Sequence, residues 1–192
     1  LCRIDRGEAY LAHLRTHPDE VEALSRDLSI SVTAFFREGA AFEVLQQTVI
    51  PDLVKRSASA DDGEHVVRVW VPGCATGEEA YSLAILFLEE FAAAGRPVRL
   101  QIFATDIDEE ALERGRAGLY ADTIVNDVSP ERLQRFFVQT SDHHYQVSRD
   151  LREVITFAPQ NLTSDAPFSK LDLISCRNVL IYLDPAVQAK AL

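Results

Sequence analysis

One stretch constrains this chain more than any other: Val69-Trp70-Val71-Pro72-Gly73-Cys74-Ala75-Thr76-Gly77-Glu78-Glu79. It reads as an apolar strand, a glycine turn and the start of a long helix. Val66 to Val71 has the pattern of a buried strand, and Glu78 to Ala94 that of a mostly apolar helix ending at Gly95. Leu100 to Ala104 repeats the strand pattern, and Asp108 to Ala117 reads as a short helix. Strands this apolar are covered on both faces. Strand, glycine turn, helix, strand and helix in succession imply an α/β fold with a parallel sheet and right-handed crossovers.

A glycine turn between strand and helix lets a ligand approach the backbone closely. No Lys-Ser/Thr pair follows Gly77, so this is not a phosphate-binding P-loop, and the spacing is not that of a dinucleotide fingerprint. Glu78 and Glu79 open the helix. Two carboxylates there would repel a pyrophosphate and suit a cation. S-adenosylmethionine carries a sulfonium and an ammonium and no phosphate. The plainer reading is that the two acids only complement the helix dipole.

Three further pieces fall at the carboxyl ends of strands, where open parallel sheets bind ligands. In Phe103-Ala104-Thr105-Asp106-Ile107-Asp108, Asp106 sits where a carboxylate can hold ribose hydroxyls, and Asp108 reads as the cap of the next helix. Asn161-Leu162 follows the strand at Val154 to Phe157, where an amide could read an adenine edge and a leucine cover the ring. Ser175-Cys176-Arg177-Asn178-Val179-Leu180-Ile181-Tyr182 follows the strand at Leu171 to Cys176, and Arg177, Asn178 and Tyr182 would face the same edge. For Asn178 a loop-bracing role is an equal alternative.

Around this core lie less regular segments. Tyr10 to Leu28 has helical spacing, with a break at His17-Pro18, and Ile30 to Arg37 is an apolar-aromatic connector. Gly39 to Lys55 is a second amphipathic stretch that Pro51 should kink or divide. Ser57 to Glu64 reads as a flexible loop. Tyr120 to Asp150 interrupts the α/β alternation. Within it Ser129-Pro130-Glu131 is a strong helix start, and His144 to Val147 a small strand. Asp184-Pro185 opens a last helix.

The formal net charge is −11, which disfavours nucleic acid as a main partner, since phosphate binding needs a basic surface. Three widely spaced cysteines argue against a disulfide framework and fit a reducing compartment, and neither they nor the five histidines show metal-ligand spacing. No apolar run approaches the roughly 20 residues needed to span a bilayer, and no direct membrane insertion is expected. The N-terminus is not a signal peptide. It begins without Met, so the expectation is a segment of a longer chain.

Together these pieces resemble CheR-type chemotaxis receptor methyltransferases, which transfer methyl groups from S-adenosylmethionine to receptor glutamates. The likeness runs from about Tyr10 to the end. It is most specific at Thr33-Ala34-Phe35-Phe36-Arg37, Gly73 to Ser82, Ala104 to Asp108, and Cys176 to Tyr182. It implies a Rossmann-like class I methyltransferase sheet whose C-terminal strands are missing, with N-terminal helices and a small inserted β-subdomain. The implied division is an N-terminal helical part and linker (1–56), a first part of the cofactor domain (57–120), the insertion (121–150) and the rest of the cofactor domain (151–192).

By the same resemblance, Ser31, Thr33, Arg37, Gly73, Glu79, Asp106, Asn161, Leu162, Asn178 and Val179 would bind the cofactor. Arg37 would pair its carboxylate, Glu79 its ammonium and Asp106 its ribose, with Asn161-Leu162 at the adenine. Arg37, Asn178 and Tyr182 are the candidate catalytic residues. The implied partner is the cytoplasmic region of chemoreceptors, met in part by the inserted segment, and the implied location is the cytoplasm. The family often has Asn where Ser31 stands and an acid where Val32 stands. Chains fused to methylesterase and sensor domains often show Ser-Val-Thr, so the parent is expected to be such a hybrid. A module that binds S-adenosylmethionine or S-adenosylhomocysteine without transfer is the alternative. A nicotinamide dehydrogenase shares the fold logic, but acids would occupy its phosphate site.

Overall fold

The computed structural model describes residues 7–18, 20–21, 24, 33–59, 65–140, 143–185 and 188. The chain divides into two compact units, residues 1–32 and 33–192. In the first, helix α1 (Gly7–Leu14) is followed by a turn, and helix resumes at Pro18, so the break falls where His17-Pro18 places it. Leu28, Ser31 and Val32 lie outside the described residues.

The second unit opens on the connector from Thr33. Residues 39–59 then form one helical run: α2 (Gly39–Val44), a wide five-residue turn (Leu45–Val49) and α3 (Ile50–Ser59). Of the kink or division expected at Pro51, the division does not occur: helix runs on through it, after a widened turn. The Ile50 N–H bonds back to the Leu45 carbonyl, and the widened turn falls just where proline has no N–H to give and its ring needs room. The run also passes Lys55 and crosses residue 56. Ser57, expected in a loop, is helical and buried, with its hydroxyl donating to the Val54 carbonyl at 2.8 Å.

Four parallel strands make the main sheet, in the order β6 (Ile155–Pro159), β2 (Leu100–Asp106), β1 (Val67–Pro72), β7 (Leu173–Ile174). Register is set by pairs such as Val71 with Ala104 and Asp106 with Pro159. Helix α4 (Glu78–Ala93) is buried at ten positions, among them Tyr81, Leu83, Phe87 and Phe91, which is why its sequence is apolar on nearly every side. Each such side chain contributes about 1.5–3 kcal/mol when fully buried. The chain moves from β1 outward through β2 to β6, then returns to the other side of β1 for β7. That reversal makes a crevice at the carboxyl ends of β1 and β7, the position where open α/β sheets take ligands.

Helix α5 (Glu109–Ala117) starts as read, with Asp108 accepting the Glu110 and Ala111 N–H groups. The interruption that follows is a three-stranded antiparallel sheet in the order β3 (Leu119–Ala121), β5 (His144–Val147), β4 (Phe137–Gln139). Helix α6 (Pro130–Phe136), capped by Ser129, leads into β4, and α7 (Arg149–Glu153) leads back to the main sheet. The small sheet thus begins at Leu119, just before the expected start of the insertion.

Candidate functional site

The glycine turn is built by backbone that only a few residues tolerate. Gly73 has φ +65° and Gly77, at the start of α4, has φ +94°. Ala75 between them has φ +47°, a left-handed conformation that costs a residue with a Cβ about 1–3 kcal/mol. Asp106 offsets part of this. Its Oδ2 accepts the Ala75 N–H at 2.8 Å, and its Oδ1 accepts the Asp108 N–H at 3.0 Å. The Cys74 N–H adds a bond to the Thr105 carbonyl at 3.0 Å. Asp106 therefore stands at the expected strand end, but its first task is to brace the turn. Each carboxylate oxygen keeps a second lone pair for a ligand hydroxyl.

Glu78 and Glu79 are both half-buried. Glu78 Oε2 accepts the Thr76 hydroxyl at 2.7 Å, and Glu79 Oε1 accepts the Ser175 hydroxyl at 2.6 Å. Burial raises both carboxyls above their ordinary range, against the lowering effect of those hydroxyls and, for Glu79, of Arg177. A carboxylate held partly out of water gains from a cation brought to it. Two of them at a glycine turn fit a sulfonium-ammonium ligand such as S-adenosylmethionine and oppose a pyrophosphate.

The loop after β7 closes the crevice from the other side. Asn178 has φ +57°, and Val179 packs into the space that a Cβ on Gly73 would need. Gly73 nevertheless remains exposed beside this contact. Gly73 and Val179, both among the expected cofactor-binding residues, are thus brought together. Arg177 reaches across this edge. Its Nη2 donates to the Arg37 carbonyl at 2.6 Å and to Glu38 Oε2 at 3.2 Å, and its Nη1 lies 3.9 Å from Glu79 Oε2. These contacts bring the connector, with half-buried Thr33 and exposed Arg37, to the Glu79 end of the site. Glu38 is held below the ordinary carboxylate range by Arg177 first, with a smaller contribution from the Asn178 side chain.

Asn161 does something the sequence reading left out. Its Oδ1 accepts both the N–H and the hydroxyl of Thr163, at 2.9 and 2.7 Å, so the oxygen is committed to a local turn. An adenine edge would meet its amide N–H groups and backbone, beside half-buried Leu162. Tyr182 ends a single tight helical turn (Leu180–Tyr182), and its side chain, like Ser31, lies outside the described residues. Cys74 is buried, which raises its thiol far above the ordinary range, and this fits the packing role read for it.

Ser175, Tyr120 and Ser82 are the participants that sequence reasoning missed, and Arg177 was noted only as facing the edge. The Tyr120 hydroxyl donates to the Thr76 carbonyl at 2.6 Å, linking β3 of the small sheet to the glycine turn. Ser82 Oγ accepts the Phe36 N–H at 3.0 Å and donates to the Glu78 carbonyl at 2.7 Å, fixing the connector to α4. The Phe35 ring meets Tyr120 and Phe137 edge-on, at 4.9 and 5.5 Å between centroids. Among the described residues, no group of three or more His, Cys, Asp or Glu could hold a metal ion, and no helix is long and apolar enough to cross a membrane.

Comparison with known proteins matches this geometry to one family. The model of the CheR methyltransferase S-adenosylmethionine-binding domain covers residues 31–192. The chemotaxis protein methyltransferase of Escherichia coli is 36% identical over 92% of this chain and 59% of its own length. That of Salmonella typhimurium is 35% identical over 96% of this chain and 62% of its own length. An uncharacterized 104.1 kDa protein of Rhodobacter capsulatus is 44% identical over 96% of this chain, which is 19% of that protein. The chain therefore spans about three fifths of the length of the two chemotaxis methyltransferases and about a fifth of the larger relative. Solved structures resemble it loosely: a glycopeptide N-methyltransferase complexed with sinefungin aligns over 86% of this chain and 45% of its own at 10% identity, with a TM-score of 0.40. With a parallel α/β sheet, a paired-acid glycine turn at its switch point and the family model matched over residues 31–192, this chain belongs to the CheR methyltransferase family and carries its S-adenosylmethionine-binding domain.

Proposed function

We propose that this chain is the cofactor-binding part of a protein-glutamate O-methyltransferase acting on the cytoplasmic region of chemoreceptors. The observation that carries the reading is the pair of half-buried carboxylates, Glu78 and Glu79, under a strained glycine turn at the sheet's switch point. Glu79 would hold the ammonium end of the cofactor, Thr33 and Arg37 its methionine carboxylate, Asp106 its ribose, and Asn161 with Leu162 its adenine. Asn178 and Val179 would line the reacting end, with Gly73 allowing close approach, and Tyr182 would stand on the substrate side. When bound, S-adenosylmethionine supplies an electrophilic methyl group.

A receptor glutamate is already ionised at neutral pH, so the enzyme needs no base to activate it. What these residues must do is orient the carboxylate in line with the methyl group and keep water away. The small antiparallel sheet, within the insertion read at 121–150, would meet the receptor. It is tied to the glycine turn through Tyr120 and Thr76. The activity would lie in the cytoplasm, and fused methylesterase or sensor domains would belong to the parent chain.

The test is methyl transfer from labelled cofactor to receptor-bearing membranes by a protein containing this chain. Base-labile methyl esters on receptor glutamates are expected. Binding of S-adenosylhomocysteine with no transfer to any receptor would sink the reading.

A further inference from the structure

The Arg177 side chain touches three segments: the connector, α2 and α4. Through Nη2 it binds the connector, at the Arg37 carbonyl (2.6 Å) and the Glu38 carboxylate (3.2 Å). Its Cζ lies 4.9 Å from the centre of the Phe42 ring on α2. Its Nη1 faces the Glu79 carboxylate on α4 at 3.9 Å. Arg177 and Glu79 each have only 17% of their side chains exposed, so this is an inner contact and not a solvated surface pair. The connector it holds does not lie in a relaxed backbone: Phe36 has φ +51° and Glu38 φ +59°. Non-glycine residues keep such angles only where surrounding contacts over-determine them.

We propose that Arg177 is a positioning residue: it clamps residues 37–38 of the connector to the end of β7 and so sets Arg37 opposite Glu79 across the methionine end of the cofactor site. The proposal rests on the cofactor reading given above. Glu79 is oriented from two sides, by the Ser175 hydroxyl at 2.6 Å and by Arg177, and both come from the same loop after β7. One loop therefore fixes the acid that meets the ammonium and the backbone that carries the cation for the carboxylate. A planar guanidinium can donate in two directions at once, which a lysine ammonium on a flexible stem cannot reproduce at this spacing. The adenosine end of the site, at Asp106 and Asn161, makes none of these contacts.

That asymmetry supplies a readout that general structural damage would not give. Calorimetric binding is measured on the whole chain with two probes: S-adenosylhomocysteine, which has the amino-acid end, and 5′-methylthioadenosine, which lacks it. For Arg177→Met, S-adenosylhomocysteine should weaken by about tenfold or more, the scale of lost hydrogen bonds from a charged donor, while methylthioadenosine stays within about twofold. Arg177→Lys keeps the charge and a long apolar stem, and should lose part of the S-adenosylhomocysteine affinity and none for methylthioadenosine. If Arg177→Met does not fold, Arg177→Lys decides by the same pair of probes. Equal weakening of both probes by a folded variant, or unchanged binding of both, would overturn the clamp. Failure of the unsubstituted chain to bind S-adenosylhomocysteine would instead overturn the cofactor reading, and the clamp with it.

Discussion

Val179 occupies the space beside Gly73 that a Cβ would need, so the loop after β7 and the turn after β1 close on each other there. Gly73 also has φ +65°, a conformation glycine adopts freely and alanine does not. Gly73→Ala should therefore destabilise the chain by about 1–3 kcal/mol, from backbone strain and overpacking together. Val179→Ala in the same chain should recover the packing share but not the strain. Chemical denaturation of both single variants and the double variant checks this; strictly additive effects would mean the two side chains do not meet.

Glu79→Gln separates binding from stability. The amide oxygen can still accept the Ser175 hydroxyl, while a half-buried charge is removed. S-adenosylhomocysteine binding should fall by about tenfold or more, since the proposed ion pair with the ammonium would become a neutral contact. Thermal stability at neutral pH should hold or rise. A drop in melting temperature matching the loss in affinity would show that Glu79 serves the fold.

The raised carboxyls of Glu78 and Glu79 fix the sign of two pH dependences. Between the unfolded and folded values, the folded state binds more protons than the unfolded one. The contribution of these groups to stability therefore falls as pH rises through that window and is relieved as pH falls. Affinity for a cationic ligand runs the other way, because it needs the ionised acids. Titrations of stability and of S-adenosylhomocysteine affinity over the mildly acidic range above ordinary glutamate values should slope oppositely. Glu79→Gln should make both slopes shallower, leaving the share that Glu78 carries. Parallel slopes would contradict the assignment.

What the sequence made legible follows from range. The strand, turn and helix from Val67 to Ala93 are contiguous, and apolar period and glycine spacing mark them directly. Asp106 and Asp108 could be sorted because one ends a strand and the other caps a helix two residues on. Ser175 bonding Glu79 and Arg177 bonding Arg37 join positions about a hundred residues apart or more, and they exist only because β7 returns beside β1. No local pattern encodes that return. Pro51 was legible as a disturbance of the helix but not in its form: a widened turn before it absorbs the proline and the helix runs on undivided. The Asn161 turn was available in principle, since Asn followed two residues later by Thr is a known turn pattern.

Tyr120 supplies a test of whether the small sheet steadies the glycine turn. Its hydroxyl is the donor to the Thr76 carbonyl, and its ring lies against Phe35 and Tyr81. Tyr120→Phe keeps the ring and removes the donor, which should cost about 1–2 kcal/mol because the part-buried carbonyl loses its partner. Amide exchange in the turn, at residues 74–77, should speed up more than in α5. Uniform exchange across both would place the loss elsewhere.

Asp106 and Glu79 lie on the same crevice and would both be called cofactor ligands, yet the structure separates their roles. Asp106 holds two backbone N–H groups, one on each oxygen. Asp106→Asn must turn an amide nitrogen towards one of them, setting donor against donor. That should cost about 1–3 kcal/mol of stability before any ligand is considered. Affinity for S-adenosylhomocysteine should fall as well, and so should affinity for 5′-methylthioadenosine, because both carry the ribose. Glu79→Gln should leave stability and the smaller ligand almost untouched. The contrast is read from one set of melts and one set of titrations. If Asp106→Asn lost only affinity, the turn would not depend on its carboxylate, and the bonds to Ala75 and Asp108 would carry less than their geometry indicates.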